Sequence, residues 1–236
     1  LAARAGVRPS IAQAALYADV NVRGTTVVFE AARQHGVPKV VYASSSSVYG
    51  GNEKVPFSEE DPVDHPVSPY AATKKATEVI AHTYHHLYGM DAVGLRYFTV
   101  YGPRQRPEMA IHKFTRMIER GESIPVFGDG SSQRDYTYVD DVVAGTLAAI
   151  DRGQGYRIYN LGESRTTSLL DLVAMIGGAV GKTPKVKHLP DQPGDVPVTY
   201  ADVTRAREEL GYDPRFGMEE GIERFVRWYR EEMGRD

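Results

Sequence analysis

The 236-residue chain has no cysteine. Disulfide staples and thiolate chemistry are therefore excluded, and a reducing, cytoplasmic setting is the default expectation. No apolar run approaches the roughly 18 residues that a membrane-crossing helix needs, so a membrane is not an expected partner. The first residues lack the charged segment and apolar core of a secretory leader. Basic residues are not in excess: 28 Lys and Arg stand against 31 Asp and Glu, for a formal net charge of -3. That balance carries no electrostatic footprint for nucleic acid. There is no internal repeat and no low-complexity linker. What is present is ordinary globular material, 42% hydrophobic and 25% charged, long enough for one large domain or two small ones.

Strands alternate with helices along the chain. Ser10 reads as the cap of a helix over 11–17, and a second helix spans 20–35 before Gly36. A buried strand over 39–43 runs into four serines and then Val48-Tyr49-Gly50. The Pro- and acid-rich stretch 52–67 reads as a surface loop. Ser68 followed by Pro69 predicts a helix start, with the helix running to Tyr88 and Gly89 after it. Further strands are expected at 91–97, 124–127, 157–161 and 185–189. Further helices are expected at 111–120, 139–151, 167–180, 204–210 and 218–233. The alternation predicts an α/β fold with a parallel sheet covered on both faces. The denser Pro and Gly loops after Gly102 suggest a second, smaller unit.

Tyr70 and Lys74 lie four apart on the predicted helix 68–88 and share a face, one turn apart. An ammonium beside a phenol favours the phenolate, which can serve as a general base near neutral pH. The pair alone is a common coincidence. Its context adds weight: Ser45 stands at the end of a buried strand, where open parallel sheets bind their ligands. A hydroxyl facing a Tyr/Lys helix is what alcohol oxidation needs. Three histidines on the same helix, His82, His85 and His86, have metal-like spacing. The segment supplies no further ligands, so no metal is expected.

Five segments, in order, resemble the extended short-chain dehydrogenase/reductases, the NAD-dependent epimerase/dehydratase group. They are VYASSSSVYG from Val41, SPYAATK from Ser68, LRYFTVYGP from Leu95, RDYTYVDD from Arg134 and QPGDVP from Gln192. The wording around 44–51 and 99–110 is most similar to the UDP-glucuronate 4-epimerases. The resemblance implies a Rossmann-like doubly wound sheet with a smaller α/β substrate domain. It assigns 1–103 and 132–162 to the NAD-binding part, and 104–131 and 163–236 to the nucleotide-sugar part. It implies NAD as cofactor, a UDP-sugar as substrate and a homodimer formed through two helices per subunit, here 20–35 and 68–88.

The implied roles follow position by position. Tyr70 is the base, Lys74 binds the nicotinamide ribose, and Ser45 aligns the substrate O4. Ala2, Ala3, Arg4, Asn21, Ala43, Ser44 and Tyr97 border the cofactor. Ser46, Ser47, Thr99 and Arg106 face the sugar. Phe127, Arg134, Tyr136 and Asp195 hold the nucleotide. Phe127 reads equally as core, Asp195 as a turn residue, and Arg106 as part of a solvated basic loop. Dehydratases and decarboxylases of the group carry carboxylates where Ser46 and Ser47 stand, which favours 4-epimerisation. UDP-glucuronate is preferred as substrate because UDP-glucose epimerases carry Asn at the position of Thr99. UDP-glucose or UDP-N-acetylglucosamine is the alternative. The group opens with a glycine-rich strand–turn–helix for the pyrophosphate. No such pattern is found here, and Ala2-Ala3-Arg4 resembles the end of the group's fourth strand. The chain therefore reads as a fragment, expected to bind NAD weakly by itself or to be an inactive remnant.

Overall fold

The structure, a computed structural model, describes residues 2–190 and 196–233. No strand occurs over 2–6. The helix expected over 11–17 is instead a pair, α1 (Val7–Ala12) and α2 (Ala14–Tyr17). Ser10 is not a cap: it lies inside α1, and its hydroxyl donates to the Val7 carbonyl at 2.6 Å. A π-helical turn, Ala18–Arg23, leads into α3 (Gly24–Gln34). Strand β1 (Lys39–Ser45) continues two residues into the serine run, where a 3-10 turn, Ser46–Tyr49, begins.

Helix α4 (Pro69–Tyr88) starts and stops as its sequence dictates. The Ser68 hydroxyl accepts the Ala71 N–H at 3.1 Å, and Gly89 closes the helix at φ 65. Next come β2 (Asp91–Tyr97), the short β3 (Thr99–Tyr101), α5 (Ala110–Glu119) and β4 (Ser123–Phe127). They are followed by β5 (Gln133–Arg134), β6 (Tyr136–Tyr138), α6 (Val139–Arg152) and β7 (Tyr156–Leu161). After β8 (Thr167–Ser168), α7 (Leu169–Val180) is capped by the Ser168 hydroxyl, which accepts the Asp171 N–H at 3.1 Å. The described elements end with β9 (Lys185–Leu189), a π-helical turn over Ala206–Leu210, and α8 (Met218–Met233).

Two units emerge. The first comprises the residues up to Phe98 with Ala144–Leu161 and Ala201–Asp213. Its sheet is parallel, in the order β1-β2-β7. The register sets Ser45 beside Tyr97 and Tyr97 beside Leu161, so the carboxyl ends of all three strands lie level. Alternate residues of β2 bury opposite faces. Ala92 packs with Phe29 of α3 and with Ala81 and Tyr84 of α4. Val93 and Leu95 pack with Ala149 of α6, Tyr159 of β7 and Leu210. Helices thus cover both faces of a parallel sheet, an α/β arrangement. Gly94 is required in the middle of β2: a Cβ there would fall 2.6 Å from the hydroxyl of Tyr42, its register partner in β1.

The second unit comprises Thr99–Val143, Gly162–Tyr200 and the residues from Pro214 onward. It holds three strand pairs: β3 with β6 and β4 with β9, both parallel, and β5 with β8, antiparallel. Ile111 and Phe114 of α5, Leu172 and Ile176 of α7, and Phe225 of α8 enclose its core with Ile124. The unit boundaries follow strand pairing. Residues 99–103 and 132–143 fall in the second unit because β3 pairs with β6. Residues 201–213 fall in the first, where Ala206 and Leu210 are core.

Candidate active site

In the first unit, α4 packs against β1 and the 3-10 turn that follows it. Tyr70 is the second residue of α4, and Lys74 follows one turn later. The Lys74 ammonium donates to the Ala43 carbonyl of β1 at 2.7 Å and is 6% exposed. Burial pulls it down from an ordinary 10.5 to about 8. Ser45, the last residue of β1, is buried, and its hydroxyl accepts the Ser47 N–H at 3.2 Å. Ser46 and Ser47 are half-buried in the turn itself.

Asn21 lies on the π-helical turn, a distortion common at functional sites. Its side chain is buried and fully engaged. The carbonyl oxygen accepts the Arg4 N–H at 2.8 Å, and the amide donates to the Arg4 carbonyl and to Thr73 Oγ1, both at 3.0 Å. Asn21 thereby ties residue 4 to α4. Ala2 and Ala3 are exposed. Tyr97 is level with Ser45, and its hydroxyl lies 3.0 Å from Thr146 Oγ1.

A buried polar chain that no sequence motif marks runs behind this site. The Ser44 hydroxyl donates to Glu78 Oε1 at 2.6 Å. Glu78 accepts two bonds from Arg96, each at 2.9 Å, with the two side chains 1% and 2% exposed. Arg96 also donates to the Tyr49 hydroxyl at 2.9 Å, which donates in turn to Asn160 Oδ1 at 2.7 Å. The sequence does carry a signal for it: an arginine within an apolar strand must be paired, and Glu78 sits one turn beyond Lys74. With Lys74 on Ala43 and Glu78 on Ser44, α4 grips the end of β1 at two successive residues.

The second unit holds the remaining positions. Thr99 and Tyr136 are register partners in β3 and β6, and the Thr99 N–H donates to the Asp135 carbonyl at 3.0 Å. Tyr136 is buried, which raises its phenol to about 12. The Arg134 guanidinium donates to the carbonyls of Gln133 at 2.8 Å and Pro197 at 3.3 Å. Phe127 ends β4, half-buried. Arg106 is exposed and pairs with Glu108 at 3.2 Å. Neighbouring Arg104 has φ 66, a left-handed conformation uncommon outside glycine. Asp195 lies outside the described residues. Asp135, unassigned from sequence, is fully buried and its carboxylate accepts the N–H groups of Glu163 at 2.7 Å and Ser164 at 3.1 Å. It shapes the loop after β7.

The helix histidines have structural partners. His82 sets its ring edge to face with Tyr156, centroids 5.0 Å apart, and His85 Nδ1 lies 3.0 Å from the Met90 carbonyl. Among the described residues no group of three or more His, Asp or Glu could hold a metal ion.

Chemically, the end of β1 carries a serine hydroxyl and a desolvated ammonium, and Tyr70 lies one helical turn from that ammonium on α4. That donor set fits the ribose and nicotinamide end of a dinucleotide beside an alcohol to be oxidised. An ammonium has three donors, and Ala43 accepts one of them. Among the described residues no glycine-rich turn joins a strand to a helix, so no group is assigned to the pyrophosphate.

Comparison with known proteins agrees with this chemistry. The model of the NAD dependent epimerase/dehydratase family matches residues 1–162. An uncharacterized protein of Methanocaldococcus jannaschii is 49% identical over 98% of this chain and 71% of its own length. The UDP-glucuronate 4-epimerase of Thermodesulfobacterium geofontis is 44% identical over 99% of this chain and 72% of its own. The crystal structure of UDP-glucuronic acid 4-epimerase from Bacillus cereus, in complex with UDP-glucuronic acid and NAD, superposes with a TM-score of 0.92 at 35% identity. That match covers 98% of this chain and 74% of the other.

Proposed function

We propose that this chain, which belongs to the NAD dependent epimerase/dehydratase family, works as a UDP-sugar 4-epimerase with UDP-glucuronate as its preferred substrate. The observation that carries the reading is Tyr70 and Lys74 on one turn of α4, with the lysine anchored to the strand that ends in Ser45. The similarity to UDP-glucuronate 4-epimerases supplies the substrate class.

In this reading Ser45 accepts or donates a hydrogen bond at the sugar O4, and Tyr70 as phenolate removes the O4 proton. NAD, which Lys74 would hold by its nicotinamide ribose, would supply the hydride acceptor and donor for C4. Between the two transfers the sugar is a 4-ketone that turns over while its nucleotide stays fixed. Tyr70 then gives the proton back to O4, so the reaction consumes nothing. Lys74 holds the nicotinamide ribose and keeps positive charge near the phenol. Asn21, Ser44, Tyr97, Ala43 and residues 2–4 border the cofactor. Arg134 holds the diphosphate, and Phe127 and Tyr136 line the nucleotide pocket. Thr99 and Arg106 take the C6 carboxylate, Arg106 exchanging Glu108 for it, and Ser46 and Ser47 face the sugar. Charge-assisted contacts of this kind contribute roughly 1.5–3 kcal/mol each, enough to favour a carboxylate over a hydroxymethyl by tenfold or more. Serine at 46 and 47 leaves no carboxylate there for elimination or decarboxylation.

A cytoplasmic homodimer completes the reading. Val27 and Val28 of α3 and Val79 and Leu87 of α4 are exposed apolar side chains, which supports pairing through these two helices. No helix among the described residues is long and apolar enough to cross a membrane. The test is Tyr70→Phe in the full-length, NAD-loaded enzyme. Turnover should fall by several orders of magnitude while UDP-glucuronate still binds, since only the hydroxyl handles the proton. Near-normal turnover would show that Tyr70 is not the base.

A further inference from the structure

The first turn of α4 leaves one donor that its own cap cannot satisfy. Pro69 has no N–H. The Ala71 N–H goes to the Ser68 hydroxyl at 3.1 Å, and the Ala72 N–H to the Ser68 carbonyl at 3.0 Å. The remaining donor is the N–H of Tyr70 itself, and an opening helix must find an acceptor for it elsewhere. That acceptor is the hydroxyl of Ser10, sixty residues upstream, at 3.1 Å.

Ser10 is built for this single purpose. It is 0% exposed, so no water competes. Its own proton is committed to the Val7 carbonyl at 2.6 Å, which leaves the oxygen lone pairs to receive the Tyr70 N–H. The same segment holds Tyr70 at two further points. The Tyr17 ring stands edge to face against the Tyr70 ring, centroids 6.3 Å apart, and the Tyr17 hydroxyl is fixed on the Ala5 carbonyl at 2.8 Å. The Tyr70 carbonyl accepts the Thr73 hydroxyl at 2.8 Å, and Thr73 is in turn held by Asn21. The N–H, the carbonyl and the ring of this one residue are each engaged, and the segment 5–21 is behind all three.

We propose that Ser10 is a positioning residue for Tyr70: its buried hydroxyl completes the first turn of α4 and fixes where the phenol stands. This rests on the reading of Tyr70 as the base. A serine that merely stabilised the fold would lower the amount of folded enzyme and leave KM and the kcat of each NAD-loaded site unchanged. A positioning serine lowers kcat alone, because misplacing a catalytic group by about 1 Å can cost a hundredfold in rate.

The experiment uses the full-length, NAD-loaded enzyme with Ser10→Ala, and with Ser10→Cys, which fills nearly the same space with a poor acceptor and serves if the alanine variant does not fold. Active-site concentration is normalised to bound NAD. The expected result is a kcat reduced about ten- to a hundredfold, with KM for UDP-glucuronate changed by less than about twofold. Amide hydrogen exchange at Tyr70 should accelerate by at least about tenfold, because the N–H has lost its acceptor. Unchanged kcat, or unchanged exchange at Tyr70, overturns the proposal. Tyr70→Phe is run alongside: if it is inactive while the Ser10 variants turn over like the parent, the Ser10 assignment alone fails. If Tyr70→Phe itself turns over normally, the base assignment fails and the Ser10 assignment with it.

Discussion

Removing the charge of Lys74 should change how the stability of the chain depends on pH, in a direction opposite to that of most lysines. The ammonium is 6% exposed, and burial lowers it from 10.5 to about 8. Below about pH 8 both folded and unfolded chains carry the proton, and the folded state bears the full cost of desolvating the charge. Between about 8 and 10.5 the folded chain releases the proton while the unfolded chain keeps it, so stability rises with pH. A tenfold change in proton affinity corresponds to about 1.4 kcal/mol, so the whole effect is roughly 3 kcal/mol. Roughly 2 kcal/mol of it should be recovered between about pH 7 and about pH 10. Lys74→Met keeps the length and removes the titrating group together with its bond to the Ala43 carbonyl. The assay is urea unfolding of both proteins across that range. The stability difference between them should shift by roughly 2 kcal/mol in favour of the parent as pH rises. A difference that stays constant would refute the claim that Lys74 is held as a desolvated cation.

Two further predictions concern the scaffold of the site. Glu78→Gln leaves the Arg96 guanidinium buried without its counter-charge and should destabilise the chain by about 3–5 kcal/mol in urea unfolding; a loss under about 1 kcal/mol would mean that the pair is solvated. Gly94→Ala drives a methyl group into the Tyr42 hydroxyl and should cost about 1–3 kcal/mol in the same assay, with Tyr42→Phe in the same background recovering part of it.

The parts of the fold that are legible in the sequence are those whose causes are local. Helix α4 is fully marked by Ser68-Pro69 and Gly89, and β2 by its apolar run before Tyr97. The amino-terminal helices differ from expectation because Ser10 looks like a local cap. Its hydroxyl instead serves a helix sixty residues away, and no spacing rule reports that. The π-helical turn at Asn21 is hidden for a similar reason: it is held by the Arg4 backbone and Thr73, two distant partners. Strand β3 is three residues long and exists only because β6 returns to pair with it, which also moves the unit boundary to Phe98. Tyr70 and Lys74 have a common spacing and stand out only through their context, with Ser45 at the end of a buried strand. Glu78 and Arg96 are legible in principle, as a carboxylate one turn beyond Lys74 and a charge in an apolar strand, but no motif spans the two.

The most direct test of the account follows the C4 centre itself. The full-length, NAD-loaded enzyme is incubated with UDP-glucuronate in deuterated water, and the sugar protons are followed by NMR. The C4 epimer should accumulate to equilibrium with its C4 hydrogen retained and no net change in NAD, and UDP-glucose should react more slowly under the same conditions. Deuterium at C4, loss of carbon dioxide or water from the sugar, or no epimer at C4 would contradict it.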